Sequence, residues 1–217
     1  MPMSSWKKLF SYILPIKEAE FRSKISGTLE LTWEKGRLVL NSRNANLSFS
    51  HLHKVLRGAM ELAGLRKRSV SRVLNLGLGA GSSVHILRNE MKKNPFIRSI
   101  EIDPVIIQIA DRFFDVNEDP RHDIILADAI EYLELEKESY DLYIVDLFID
   151  DIVHSEVMFV SFLRGLMHQA VPDSTILINS LKNERSEGYK KRLTDAGIQY
   201  DIFASQENEV YIFQGFN

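Results

Sequence analysis

Residues 71–81, SRVLNLGLGAG, constrain this chain more than any other stretch. A mostly apolar run at 72–76 reads as a buried strand that enters a turn of the form Gly77-x-Gly79-x-Gly81. Glycines at the end of a parallel strand let the backbone pass close to a ligand, because no Cβ stands in the way. The next strand ends on Glu101 and Asp103, in RSIEIDP. A carboxylate about 20 residues past such a turn can accept hydrogen bonds from ribose hydroxyls. Together the two signals imply an adenosine-containing ligand. With no ligand, the same glycines would make a tight strand–helix turn and nothing more.

From residue 70 the chain alternates strand and helix, which argues for a parallel sheet with right-handed crossovers. The expected strands are 72–76, 97–101, 123–127, 141–147 and 174–179, and the expected helices 82–92, 104–113, 129–134, 156–170 and 186–196. Two late strands, 199–204 and 209–215, flank SQENE and read as an antiparallel hairpin. Ahead of this region, 26–50 alternates apolar and polar residues. Lys35-Gly36 is a plausible turn there between Leu29–Trp33 and Leu38–Leu40, so a small β-hairpin module is expected. A helical pattern runs from His51 to Leu65 and closes at Gly64. The division read from these patterns is residues 1–50 as an N-terminal helix and β module, and 51–217 as the nucleoside-binding domain.

Composition removes several alternatives. The chain has no cysteine, which excludes disulfides, thiolate metal sites and a cysteine nucleophile and fits a reducing, cytoplasmic setting. With 27 basic and 30 acidic residues there is no general pull toward nucleic acid. No apolar run approaches the roughly 20 residues that cross a bilayer, so no membrane partner is expected. The opening segment has two lysines before an apolar patch at Leu9–Ile16 that Pro15 interrupts, without a small-residue cleavage site. This reads as a terminal helix packed on its own domain or on a partner subunit rather than a signal peptide.

Four carboxylates could carry chemistry. Asp103 precedes Pro104 and reads as a helix cap. Glu101, two residues earlier at the strand end, is the better ribose ligand. Asp128, at the end of the third strand, could accept from an adenine amino group, cap the following helix, or do both. Asp146 follows the apolar run Leu142–Val145 and points into the crevice beyond the strand ends, where it could orient or deprotonate a nucleophile or hold an ammonium group. Asp150 and Asp151 read as solvated loop charges, and Arg66-Lys67-Arg68 as a solvated connector. His51 and His53 are two apart, on different sides of a helix, and His154 sits in the loop after the fourth strand. No metal site is expected.

The segments VLNLGLGAGSS, IRSIEIDPVIIQIADRFF, EDPRHDIILADAIEYL, YDLYIVDLF and ILIN resemble the spermidine synthase-like branch of the class I S-adenosylmethionine-dependent methyltransferases, over roughly residues 26–180. Asp119-Pro120-Arg121 before the third strand is typical of that branch. The resemblance implies an α/β Rossmann-like fold: a seven-stranded, mostly parallel sheet with an antiparallel last strand, preceded by a small N-terminal β module. It implies that Gly77, Gly79, Gly81, Glu101, Ile102, Asp128 and Ala129 bind the cofactor, with Glu101 on the ribose and Asp128 and Ala129 on the adenine. Asp146 is then the catalytic or amine-orienting acid.

Departures from the branch bear on the reaction. Spermidine synthases carry Gly-Gly-Gly-Asp-Gly-Gly at the turn, whose aspartate suits the amine tail of decarboxylated S-adenosylmethionine; here Ala80 stands in its place. Their Asp-Ser-x-Asp-Pro reads Asp146-Leu147-Phe148-Ile149-Asp150, and their Tyr-His-Glu reads Leu52-His53-Lys54. The expectation is an S-adenosylmethionine-binding transferase that methylates a small acceptor, with a homodimer through the N-terminal region. Two alternatives stay open: an aminopropyltransferase that makes polyamines from decarboxylated S-adenosylmethionine, and a catalytically silent module of the same fold.

Overall fold

The structure, a computed structural model, describes residues 5–42, 51–116, 120–149 and 152–216. Asp119, Asp150 and Asp151 lie outside the described residues, as does the side chain of His51. A short helix α1 (Ser5–Phe10) leads into an antiparallel sheet of β1 (Ile16–Ser23), β2 (Gly27–Glu34) and β3 (Arg37–Asn41). The expected hairpin is there, with Lys35 and Gly36 at positive φ (49° and 77°) in its turn. The strand β1 enlarges it to three strands. Its sequence, IKEAEFRS, hides it, because a bulge between Lys17 and Ala19 breaks the alternation of period two.

Helix α1 sits on this sheet through polar bonds. The Ser11 hydroxyl accepts from the Gly36 N–H (2.8 Å) and donates to the Lys8 carbonyl (2.7 Å), and the Lys35 N–H bonds the Ser11 carbonyl (2.9 Å). Its apolar residues do not pack inward. Trp6, Leu9, Phe10 and Ile13, at helical spacing, are all more than half exposed.

Helix α2 (His51–Leu62) follows, and then the alternating region begins. It comprises β4 (Arg72–Leu76), α3 (Ser82–His85) continuing as a π-helical turn to Glu90, β5 (Phe96–Glu101), α4 (Pro104–Phe114), β6 (His122–Leu126) and α5 (Ala129–Leu135). After these come β7 (Leu142–Val145), a two-residue hairpin of β8 (Phe148–Ile149) and β9 (Ile152–Val153), α6 (Val160–Gln169), β10 (Thr175–Leu181), α7 (Glu184–Asp195), β11 (Asp201–Ala204) and β12 (Asn208–Phe213). Seven strands form one sheet in the order β11-β12-β10-β7-β4-β5-β6, with β12 antiparallel to both β10 and β11.

Alternation along the strands builds a core on each face. Leu74, Leu76, Tyr143, Val145, Ile176, Ile178, Tyr211 and Phe213 face α6 and α7, against Leu163, Leu166, Tyr189 and Leu193. Val73, Leu142, Ile144, Leu177, Val210 and Ile212 face the other way, against Val55, Leu56, Ala59 and Met60 of α2. The N-terminal sheet joins the larger body through Leu29, Leu31, Trp33, Leu38 and Leu40, which pack on Ala80, Ile106 and Ile109. Ser23 closes the joint by bonding the carboxylate of Asp103.

The connection from β4 runs outward through β5 and β6, then returns to place β7 on the other side of β4. That reversal falls at the carboxyl ends of β4 and β7, the crevice position at which open α/β sheets take ligands. The Asp146 N–H bonds the Leu76 carbonyl (2.8 Å), so the two strand ends are tied together there.

Candidate functional site

The glycine turn begins where β4 ends. Gly77, Gly79 and Gly81 all have positive φ (89°, 52° and 77°). A Cβ on Gly77 would stand 2.3 Å from the carbonyl oxygen of Asp146, so only glycine lets the turn pass the end of β7. Asn75, buried within β4, braces the turn from below. Its Nδ2 donates to the Gly77 carbonyl (3.0 Å) and the Ser99 hydroxyl (3.1 Å), and its Oδ1 accepts from Ser83 at the start of α3 (2.9 Å). Ser99 meets His122 Nε2 (2.8 Å), whose Nδ1 meets the Val116 carbonyl (3.0 Å). The sequence reading passed over Asn75. A lone amide in an otherwise apolar strand was the available signal, because a buried polar group needs partners.

Glu101 ends β5, 7% exposed. Its Oε2 accepts from the Leu78 N–H (3.0 Å) and the Gly79 N–H (3.3 Å), and its Oε1 from the Asp103 N–H (3.0 Å). This carboxylate therefore fixes the shape of the glycine turn. Burial pushes its proton affinity up, and the three amides offset part of that push. Asp103 caps α4 as expected, its Oδ1 accepting from the Val105 N–H (2.9 Å), and it also anchors Ser23.

Asp128 follows β6 and caps α5, its Oδ1 accepting from the N–H groups of Ile130 (2.7 Å) and Glu131 (3.2 Å). Ala129 beside it is buried, whereas Ile102 and Leu126 expose their side chains at the ends of β5 and β6. Glu101 pairs with Leu126 across the sheet, and the Ala127 N–H bonds the Glu101 carbonyl (3.1 Å). The ends of four adjacent strands thus carry Asp146, the glycines, Glu101 and Asp128 in sheet order.

Asp146 is half-buried, and its Oδ1 accepts from Asn179 Nδ2 (2.8 Å). Desolvation raises its carboxyl from 3.8 to about 6, and the Asn179 amide pulls the other way. Leu147 and Phe148 follow it and pack on the core. Ala80, 1% exposed, belongs to the apolar cluster beneath the N-terminal sheet.

The histidines lie elsewhere. Buried His53 bonds Glu90 through Nε2 (2.6 Å), and burial lowers its proton affinity. His154 gives its backbone N–H to the Leu147 carbonyl (3.0 Å), and its buried Nδ1 has no partner among the described residues. In the basic cluster, Arg66 pairs with Glu61 (2.7 Å), while Arg68 bonds Thr175 (2.9 Å), so Arg68 is a structural tie rather than a solvated charge. Among the described residues no helix is long and apolar enough to cross a membrane, and no group of three or more His, Asp or Glu could hold a metal ion.

No protein-family model matches the chain. It is 26% identical over 132 residues to a polyamine aminopropyltransferase from Clostridium botulinum (strain Eklund 17B / Type B), covering 59% of this chain and 46% of the relative. The chain thus spans about half the length of the curated relatives it matches first. Among solved structures it superposes on spermidine synthase from Thermotoga maritima with a TM-score of 0.69 at 15% identity, over 93% of this chain and 74% of that one. The chain has a spermidine synthase-like class I methyltransferase fold. It also superposes on human methyltransferase-like protein 13, solved in complex with SAH, with a TM-score of 0.63 at 20% identity over 76% of this chain and 82% of that one. The fold is therefore shared by proteins of both names, and the fold by itself does not fix a reaction.

Proposed function

We propose that this chain is a transferase that binds S-adenosylmethionine and methylates a small acceptor, acting in the cytoplasm. One observation carries the reading: four adjacent strand ends gather the glycine turn, Glu101, Asp128 and a half-buried Asp146 at the reversal in strand order. The residues fit the cofactor. Gly77, Gly79 and Gly81 turn through positive φ and put no side chain over the strand ends, Glu101 supplies a buried carboxylate for ribose, and Asp128 keeps an oxygen outside its capping bonds for adenine. Ile102 and Leu126 offer apolar surface on either side of a flat base.

The bound sulfonium supplies an electrophilic carbon, and the chain's work is to position a nucleophile in line with it and keep water away. A carboxyl titrating near 6 is mostly ionised at neutral pH, so Asp146 would take the proton that the acceptor gives up as its bond to the methyl carbon forms and the carbon–sulfur bond breaks, with the neutral thioether leaving. Ala80 places no negative charge against the carboxylate of ordinary S-adenosylmethionine. Leu147 and Phe148 make a poor cradle for a polycation.

The name of the bacterial relative favours the second reading, aminopropyl transfer from decarboxylated S-adenosylmethionine. Titration calorimetry with both cofactors and with methylthioadenosine separates the two. Tighter binding of the carboxylated form is expected. Preference for the decarboxylated form would favour aminopropyl transfer, and no heat with any of the three would leave the silent module. We also assign the homodimer contact to the exposed stripe of α1.

A further inference from the structure

We propose that Asn179, backed by Asn208, is a positioning residue that holds Asp146 by one carboxylate oxygen and leaves the other for the acceptor. This rests on the reading of Asp146 as proton acceptor given above. Asn179 lies inside β10 and is 2% exposed, and Asn208 opens β12 at 8%. Asn208 Nδ2 donates to Asn179 Oδ1 (3.2 Å), and Asn179 Nδ2 donates to Asp146 Oδ1 (2.8 Å). Asn208 is itself fixed by Ser205, whose hydroxyl accepts from the Asn208 N–H (2.9 Å) and whose N–H bonds the Asn208 carbonyl (2.8 Å). A tight turn, two amides and a carboxylate thus form one line running from the edge of the sheet to the crevice.

The line has a direction. An ionised carboxylate only accepts, so Asn179 must turn its NH₂ toward Asp146 and its oxygen toward Asn208, which must answer with its own NH₂. Reversing either amide sets oxygen against oxygen. The relay therefore favours the ionised form of Asp146 and opposes the burial that disfavours it. Other charges near the line are already committed. Glu209, next to Asn208 on β12, bonds Lys190 (2.8 Å) and Tyr211 (3.1 Å), and no other charged side chain among the described residues adds to the balance at Asp146. The packing of β10 and β12 does not call for amides at these places, since the neighbouring positions on the same face of the sheet are Leu177 and Val210.

The test follows the Asp146 carboxyl carbon by NMR against pH in the whole chain, with the resonance assigned by its loss in Asp146→Asn. Asn179→Ala should raise the midpoint by about one pH unit, the scale of one lost hydrogen bond to a charged group. Asn208→Ala, nearer the surface, should raise it by less. An unchanged midpoint in folded Asn179→Ala overturns the proposal. Should that variant not fold, an unchanged midpoint in Asn208→Ala overturns it. If the midpoints move as expected but Asp146→Asn still transfers its group at full rate, the positioning stands and the catalytic reading of Asp146 falls.

Discussion

At the scale of single residues, Glu101 and Asp146 solve the same problem in opposite ways. Glu101 is buried but surrounded by backbone donors, so it serves the turn before it serves any ligand. Replacing it with alanine should therefore have two effects. Nucleoside affinity should fall by about 1–3 kcal/mol, the worth of hydrogen bonds to a charged group, and the melting temperature should fall with it. Calorimetry and thermal melting read the two separately, and unchanged affinity would reject the ribose role. Asp146 is under-served, and its raised carboxyl is a stability cost. The folded protein holds that proton more tightly than the unfolded chain, so the contribution is present below about pH 4 and lost as the pH climbs through about 6. Raising the carboxyl from 3.8 to about 6 corresponds to about 3 kcal/mol. Asp146→Asn should thus melt above the parent at pH 8, and the two should converge near pH 4. Equal melting at both values would mean that the carboxyl is not desolvated.

At the scale of elements, the glycine turn is the rigid part and its neighbours adapt. A Cβ on Gly77 meets the backbone of Asp146 at 2.3 Å, whereas one on Gly81 meets the side chain of Val116 at 2.7 Å, which has some freedom to turn. Both also force positive φ on an L residue, worth roughly 1–3 kcal/mol. Gly77→Ala should therefore lose clearly more thermal stability than Gly81→Ala, and equal losses would deny the close approach of β4 and β7. The sequence showed this turn and the strands around it well, because buried parallel strands are short apolar runs punctuated by glycine and capping carboxylates. Where those cues fail, the reading stops. The helix expected at 82–92 closes after His85 into a π-helical turn, and that at 156–170 is divided at Phe159. The strand β1 was missed because its bulge breaks the alternation. The Asn75 and Asn179 networks depend on partners 24 and 33 positions away, which no local pattern reports.

At the scale of the whole molecule, the unresolved balance is at the N-terminal sheet. Its inner face is spent on Ala80, Ile106 and Ile109. Beside it, α1 and the turn that follows display Trp6, Leu9, Phe10, Tyr12, Ile13 and Leu14, each more than half exposed, a run that an isolated monomer has little reason to leave in water. Lys7 pairs with Glu18 (3.2 Å), and Lys17 with Glu20 and with Glu30 (2.7 Å), so these two cations beside the stripe are already committed to carboxylates of the sheet. An exposed apolar stripe fits the two-fold arrangement of a second copy, laid stripe against stripe. Light scattering should then report twice the 25.0 kDa mass of the chain. Leu9→Glu combined with Ile13→Glu should return the single mass without lowering the melting temperature of the body, because neither side chain packs inward. A parent chain that stays at the single mass at tens of micromolar would refute the contact (the range in which modest interfaces still assemble).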